Sequence, residues 1–251
     1  MAYTIDLSGH TALVTGASGG LGAHFARVLA RSGADVVITA RREAALQQLA
    51  GELESYGVKA RPLTLDVRDT DAIARVAQTA GGIDILVNNA GIGNAKPALE
   101  QSVEDWDNII DTDLRGAFFM AQAVAQQMRA RSKAGTIINI ASILGLRQGA
   151  AVTPYAVAKA GLVQMTKQLA LEWARYNIRV NALAPGYFDN EVNQPFFATD
   201  AGAAMLKRIP MRRLGHMEDL DGPLLLLASP ASAYMTGAIL TMDGGHCLSP
   251  L

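Results

Sequence analysis

A chain of 251 residues, half of them hydrophobic and 18% charged, has the length and balance to bury a large core as one domain spanning 1–251. A net charge of −1 with no block of like charge excludes a nucleic-acid surface and an anionic-membrane surface. A single cysteine, Cys247, excludes an intrachain disulfide, and the scattered His10, His24, His216 and His246 have no metal-ligand spacing.

Short apolar runs alternate with longer helical stretches along the whole chain. Ala12-Leu13-Val14 predicts the first strand and runs directly into Thr15-Gly16-Ala17-Ser18-Gly19-Gly20-Leu21-Gly22, after which the pattern predicts a helix over 21–31. Val36-Val37-Ile38 is the second strand, followed by a helix over 44–56. Leu63-Thr64-Leu65 is the third, with Asp66 and Val67 at its end. Ile85-Leu86-Val87 is the fourth and ends in Asn88-Asn89-Ala90-Gly91, before a helix over 105–131. Thr136-Ile137-Ile138-Asn139-Ile140 is the fifth, with Ser142 just beyond it and a helix over 154–176 after that. Ile178-Arg179-Val180-Asn181-Ala182 leads to Pro185-Gly186, and Ala238-Ile239-Leu240-Thr241-Met242 closes the series. These runs are nearly all apolar, as expected of parallel strands covered on both faces. An unbroken series of βα units predicts an α/β fold with one doubly wound sheet in three layers. The only long irregular stretch is 186–215, whose length suits a binding loop or lid, set at about 187–215. No run reaches membrane-spanning length and Met1-Ala2-Tyr3-Thr4-Ile5-Asp6 lacks a signal pattern, so the expected compartment is cytoplasmic.

The chemistry is concentrated where such sheets bind ligands, at the carboxyl ends of the strands. Glycine after the first strand permits a tight turn and lets backbone N–H groups approach a pyrophosphate at a helix N-terminus. The spacing here is Gly16-x-x-x-Gly20-x-Gly22. Tyr155 and Lys159 are four residues apart in a helical pattern, so both side chains lie on one face a few ångströms apart. An ammonium so placed favours a phenolate, which suits general acid/base chemistry near neutrality. Ser142 lies thirteen residues before Tyr155.

Taken together, Thr15-Gly16-x-x-x-Gly20-x-Gly22, Asn88-Asn89-Ala90-Gly91, Ser142, Tyr155-x-x-x-Lys159 and Pro185-Gly186 make the chain resemble the short-chain dehydrogenase/reductase family from Leu7 to Gly245. The resemblance implies a Rossmann-type sheet of about seven parallel strands, a nicotinamide cofactor and interconversion of a carbonyl with an alcohol. It implies that Tyr155 exchanges a proton with the substrate oxygen, that Lys159 holds the cofactor ribose and supports Tyr155, and that Ser142 fixes the substrate oxygen. Gly16, Ser18, Gly20, Leu21 and Gly22 would hold the pyrophosphate end, with Asp66 and Val67 near the adenine. Asn89, Ala90 and Gly91 would pass the adenosine ribose. Pro185, Gly186, Phe188 and Asn190 would line the nicotinamide, and Tyr187 with the following loop would close over the substrate.

Two departures carry information. An acidic residue at the end of the second strand marks NAD-preferring sites, but this chain reads Thr39-Ala40-Arg41-Arg42 there. A guanidinium pairs with a 2′-phosphate, so Arg41 and Arg42 favour NADP(H), with NAD(H) as the alternative. Gly19 stands where some NADP-preferring relatives have a second basic residue. The other departure is Asp113, at a position that relatives fill with asparagine, where it joins the catalytic group as a residue able to draw Lys159 away from Tyr155. The helix over 154–176 is apolar on nearly all sides, which predicts a partner helix and, with the resemblance, a homotetramer. Gly93, Asn94, Leu144, Gly145, Gln148, Ala150, Ala151, Val152, Tyr187 and Phe188, with lid residues Phe196, Phe197 and Met205, would form a largely apolar pocket wall suited to a neutral ketone or secondary alcohol. The rival readings are a 3-ketoacyl thioester reductase, served by Lys96 or Arg129, Arg131 and Lys133, and a catalytically silent NADP-binding regulator.

Overall fold

The computed structural model describes residues 5–189 and 194–248. Seven parallel strands form one sheet in the order β3-β2-β1-β4-β5-β6-β7. They are β1 (Thr11–Thr15), β2 (Asp35–Ala40), β3 (Ala60–Thr64), β4 (Ile85–Asn88), β5 (Gly135–Ile140), β6 (Ile178–Pro185) and β7 (Ile239–Met242). The step from β3-β2-β1 to β4 reverses the direction of winding, which opens a crevice above the ends of β1 and β4.

The apolar strands divide their side chains between two layers by the period of two along a strand. Val14, Ile38, Val87 and Ile138 meet α1 (Gly20–Arg31), α2 (Glu43–Glu54) and α9 (Asp221–Ala228) on one face. Leu13, Val37, Leu86 and Ile137 meet α3 (Thr70–Ala80), α5 (Gly116–Ala130) and α6 (Thr153–Trp173) on the other. Phe25 of α1 is fully buried, a placement that contributes about 2–3 kcal/mol.

Two boundaries differ from the sequence expectation for physical reasons. The third strand is Ala60–Thr64, not 63–65, and contains Pro62. It is an edge strand, where one side has no partner and a proline is tolerated. The helix expected over 105–131 is instead α4 (Val103–Ile110), a π-helical turn (Asp111–Arg115) and α5. The wide turn carries Asp113 inward, where it has no exposed surface. The expected lid contains α7 (Gln194–Phe197) and α8 (Asp200–Leu206), joined by a Thr199 cap that accepts from Gly202 N–H at 3.1 Å. Among the described residues no helix is long and apolar enough to cross a membrane.

Candidate active site

The glycine turn between β1 and α1 is held from the neighbouring strand. Thr15 Oγ1 accepts the backbone N–H groups of Asn89 and Ala90, each at 3.0 Å. Asn89 Nδ2 donates back to the Thr15 carbonyl at 2.9 Å. Gly16 has φ +67°, and a Cβ there would stand 2.8 Å from the Ala90 Cα, so only glycine lets the two strand ends approach this closely. Asn89 therefore braces the turn with both its side chain and its backbone N–H. Above this turn, α1 begins without a side-chain cap and without an acid in its first turn. Its free N–H groups and positive dipole end fit a pyrophosphate.

The two arginines after β2 are not equivalent. Arg42 folds back on the glycine turn, where Nε donates to Ser18 Oγ at 3.2 Å and Nη2 to the Ser18 carbonyl at 3.0 Å. That Nη2 lies 3.2 Å from where a Cβ of residue 19 would be. Arg42 thus brings a cation to the place that Gly19 leaves empty. Arg41 is exposed and makes no hydrogen bond or ion pair among the described residues. Asp66 is engaged by Arg68, with Nη2 at 2.7 Å, and this guanidinium holds its carboxyl below the usual range. A guanidinium that makes no hydrogen bond or ion pair among the described residues, beside a glycine cradle, fits a dinucleotide that carries an extra phosphate.

Lys159 is buried on α6 and donates to the Ile140 carbonyl at the end of β5, at 3.0 Å. Its ammonium lies 3.2 Å from Asp113 Oδ2 and 5.4 Å from the centroid of the Tyr155 ring. Asp113 Oδ1 accepts the Ile92 backbone N–H at 2.8 Å. Burial lifts the Asp113 carboxyl above the ordinary carboxylate range, against the pull of Lys159 and of that N–H. Burial also works against the Lys159 charge, but Asp113 and Tyr155 outweigh it and keep the ammonium above the ordinary lysine range. Ser142 is buried at the start of the turn Ile143–Gly145, where its Oγ accepts the Leu144 N–H at 3.1 Å. A hydroxyl that accepts there retains its own hydrogen for a further partner.

Phe188 is placed by a contact outside its own segment. Its ring is buried and packs on Gly215, with which it forms a parallel bridge. Tyr187 stacks edge-on with Phe197 at 5.4 Å and lies 5.7 Å from His246. Asn190 lies outside the described residues. The expected pocket wall divides between two depressions. Leu144, Gly145 and Gln148 line a groove along α6 with Leu146, Val157 and Ala160. Tyr187 and Phe188 line a cavity of about 210 Å³ with Met211, Met242 and Gly244.

Sequence reasoning gave no role to Asn139, Thr166 or the Ile92 and Ile140 main chain. Asn139 had a signal, since it interrupts an apolar strand and is wholly buried. The backbone groups had none.

Residues 16–247 match a family model described as Enoyl-(Acyl carrier protein) reductase. Gluconate 5-dehydrogenase of Gluconobacter oxydans (strain 621H) is 40% identical over 249 residues, covering 97% of each chain. A short-chain type dehydrogenase/reductase from Mycobacterium marinum superimposes with a TM-score of 0.90 at 40% identity, over 97% of both chains. A gluconate 5-dehydrogenase from Burkholderia cenocepacia J2315, solved in complex with NADP and tartrate, gives 0.92 at 38% identity, over 98% of both. The chain belongs to the short-chain dehydrogenase/reductase family.

Proposed function

We propose that the protein is an oxidoreductase that interconverts a ketone and a secondary alcohol with NADP(H). The observation that carries this reading is the placement of Lys159, 5.4 Å from the Tyr155 ring centroid, bonded to the Ile140 carbonyl two residues before Ser142, and packed under Gly91 next to the strand end that holds the glycine turn, with Arg41 exposed at the end of β2. When bound, the nicotinamide supplies or accepts the hydride. Tyr155 gives its phenolic proton to the carbonyl oxygen in reduction and takes the hydroxyl proton in oxidation. Lys159 stabilises the phenolate by its charge, and Ser142 donates its free hydroxyl hydrogen to the substrate oxygen. Gly16, Gly20 and Gly22 would admit the pyrophosphate, and Arg41 and Arg42 would hold the 2′-phosphate. The named activity of the two gluconate relatives supports placing hydroxy acids among the substrates tried.

Lys96 pairs with Asp105 at 2.5 Å, and Arg131 and Lys133 both pair with Asp84 at 3.7 Å. These cations are already engaged, which weighs against a carrier-bound thioester substrate. The intact Ser142, Tyr155 and Lys159 weigh against a silent regulator.

The test is NADPH and NADH oxidation against ketones, 3-ketoesters and keto acids, with Tyr155→Phe and Arg41→Ala alongside. Tyr155→Phe should lower turnover at least a thousandfold at little change in cofactor affinity, and activity within about tenfold of the natural protein would refute the assignment. Arg41→Ala should raise the Michaelis constant for NADPH and leave that for NADH.

The same reading includes a homotetramer. On α6, Val157 and Leu171 are exposed, as are Val103 and Trp106 on α4. Light scattering should give about four times 26.5 kDa, and a monomer at micromolar concentration would reject it.

A further inference from the structure

Asp113 is wholly buried and takes both of its partners from outside its own helix. The Ile92 N–H approaches Oδ1 from the loop after β4, and Lys159 approaches Oδ2 from α6. That loop closes directly over the pair: a Cβ on Gly91 would stand 2.8 Å from Asp113 Oδ2 and 3.3 Å from Lys159 Nζ. One ammonium therefore stands between a carboxylate at 3.2 Å and the Tyr155 ring centroid at 5.4 Å. The ammonium thus faces both groups at once.

We infer that Asp113 is a positioning residue that anchors Lys159 as a cation and offsets its charge at Tyr155, so that it sets the pH range in which Tyr155 accepts a proton. The inference rests on the reading of Tyr155 as the acid/base group. The amide of an asparagine would hold the same place with no net charge, leaving the full field of Lys159 to act on the phenol.

Few other charges face this pair. The end of β5 and the loop over 90–92 present main-chain groups, and α6 presents Tyr155. Tyr187, in the loop after β6, is held above the ordinary phenol range by burial and by the charge of an ionised Tyr155. Asp111 and Arg115, in the same turn as Asp113, pair with each other at 3.9 Å, and Asp105 of α4 is held by Lys96. With these groups unchanged, Asp113→Asn alters one charge alone.

The experiment is an ultraviolet difference titration of tyrosinate in the cofactor-free protein, natural and Asp113→Asn, each compared with its own Tyr155→Phe version. The Tyr155 signal should appear about one pH unit lower in Asp113→Asn. The acidic limb of the pH–rate profile for alcohol oxidation should move the same way by a similar amount, with the cofactor Michaelis constant little changed. Superimposable titrations would overturn the inference, whatever the protein turns over. A shifted titration in a protein that turns over nothing on the panel would uphold the inference and overturn the proposed function. Should Asp113→Asn fail to fold, Asp113→Ser, which retains an acceptor for the Ile92 N–H, is judged by the same criteria.

Discussion

Two buried polar connections tie the carboxyl ends of β4 and β5 to α6, and their chemistry is opposite. The deeper one is neutral. Asn88 Nδ2 donates to the Ala117 carbonyl at 3.0 Å and to Asn139 Oδ1 at 3.1 Å. Asn139 Nδ2 then donates to Thr166 Oγ1 at 2.9 Å, and Thr166 donates to the Leu162 carbonyl at 2.8 Å. The other lies nearer the strand ends and is charged, from the Ile92 N–H through Asp113 to Lys159 and the Ile140 carbonyl. Lys159 and Thr166 are seven residues apart on α6, so the two connections share one helix face. The amide chain holds the layers together at any pH. The ion pair costs desolvation in the same dry surroundings, and its charge can act on a neighbour. A neutral network and a charged one thus lie side by side along α6.

The largest effect that can break this comparison comes from removing one charge. Lys159→Met should abolish turnover and destabilise the fold by about 3–5 kcal/mol, because Asp113 is left buried without a counter-charge. Adding Asp113→Asn to that variant should restore most of the stability and none of the activity. Denaturant titration of the three proteins measures it, and a Lys159→Met protein as stable as the natural one would remove the ion pair from the core energetics.

Next in size is the neutral network. Asn139→Leu breaks two buried hydrogen bonds and should lower stability by about 2–3 kcal/mol. Its pH–rate profile should coincide with that of the natural protein. A displaced profile would mean that the two networks are one.

The smallest effect lies at alkaline pH. Lys159 has a folded-state pKa above its unfolded value, so its contribution is complete below about pH 10 and is lost as pH rises through the folded value. Denaturation midpoints of the natural protein should fall above that pH, and fall less in Asp113→Asn. Parallel curves would show that Asp113 does not sustain the Lys159 charge.

Much of the site was legible because its parts are local. The glycine turn is a run of consecutive residues after a strand, and Tyr155 with Lys159 is a helical i, i+4 spacing. The direction of Phe188 depends on a bridge to Gly215, which no local spacing reveals. The helix over 105–131 was read as continuous because a π-helical turn leaves the apolar pattern on both sides intact.

The sequence by itself determined the order of strands and helices, the cradle for a dinucleotide, the phenol–ammonium pair and the presence of an acid at position 113. Each is a matter of neighbouring residues and of periods of two and 3.6, which local sterics enforce. Only the tertiary structure decided that Arg42 lies against Ser18 while Arg41 stays free. It alone decided that Asp113 has no exposed surface and takes the Ile92 N–H along with Lys159. Those contacts join separate elements across the sheet order, and packing and the pairing of buried charge select them, because a carboxylate with no exposed surface must find an ammonium and a donor wherever the fold supplies them.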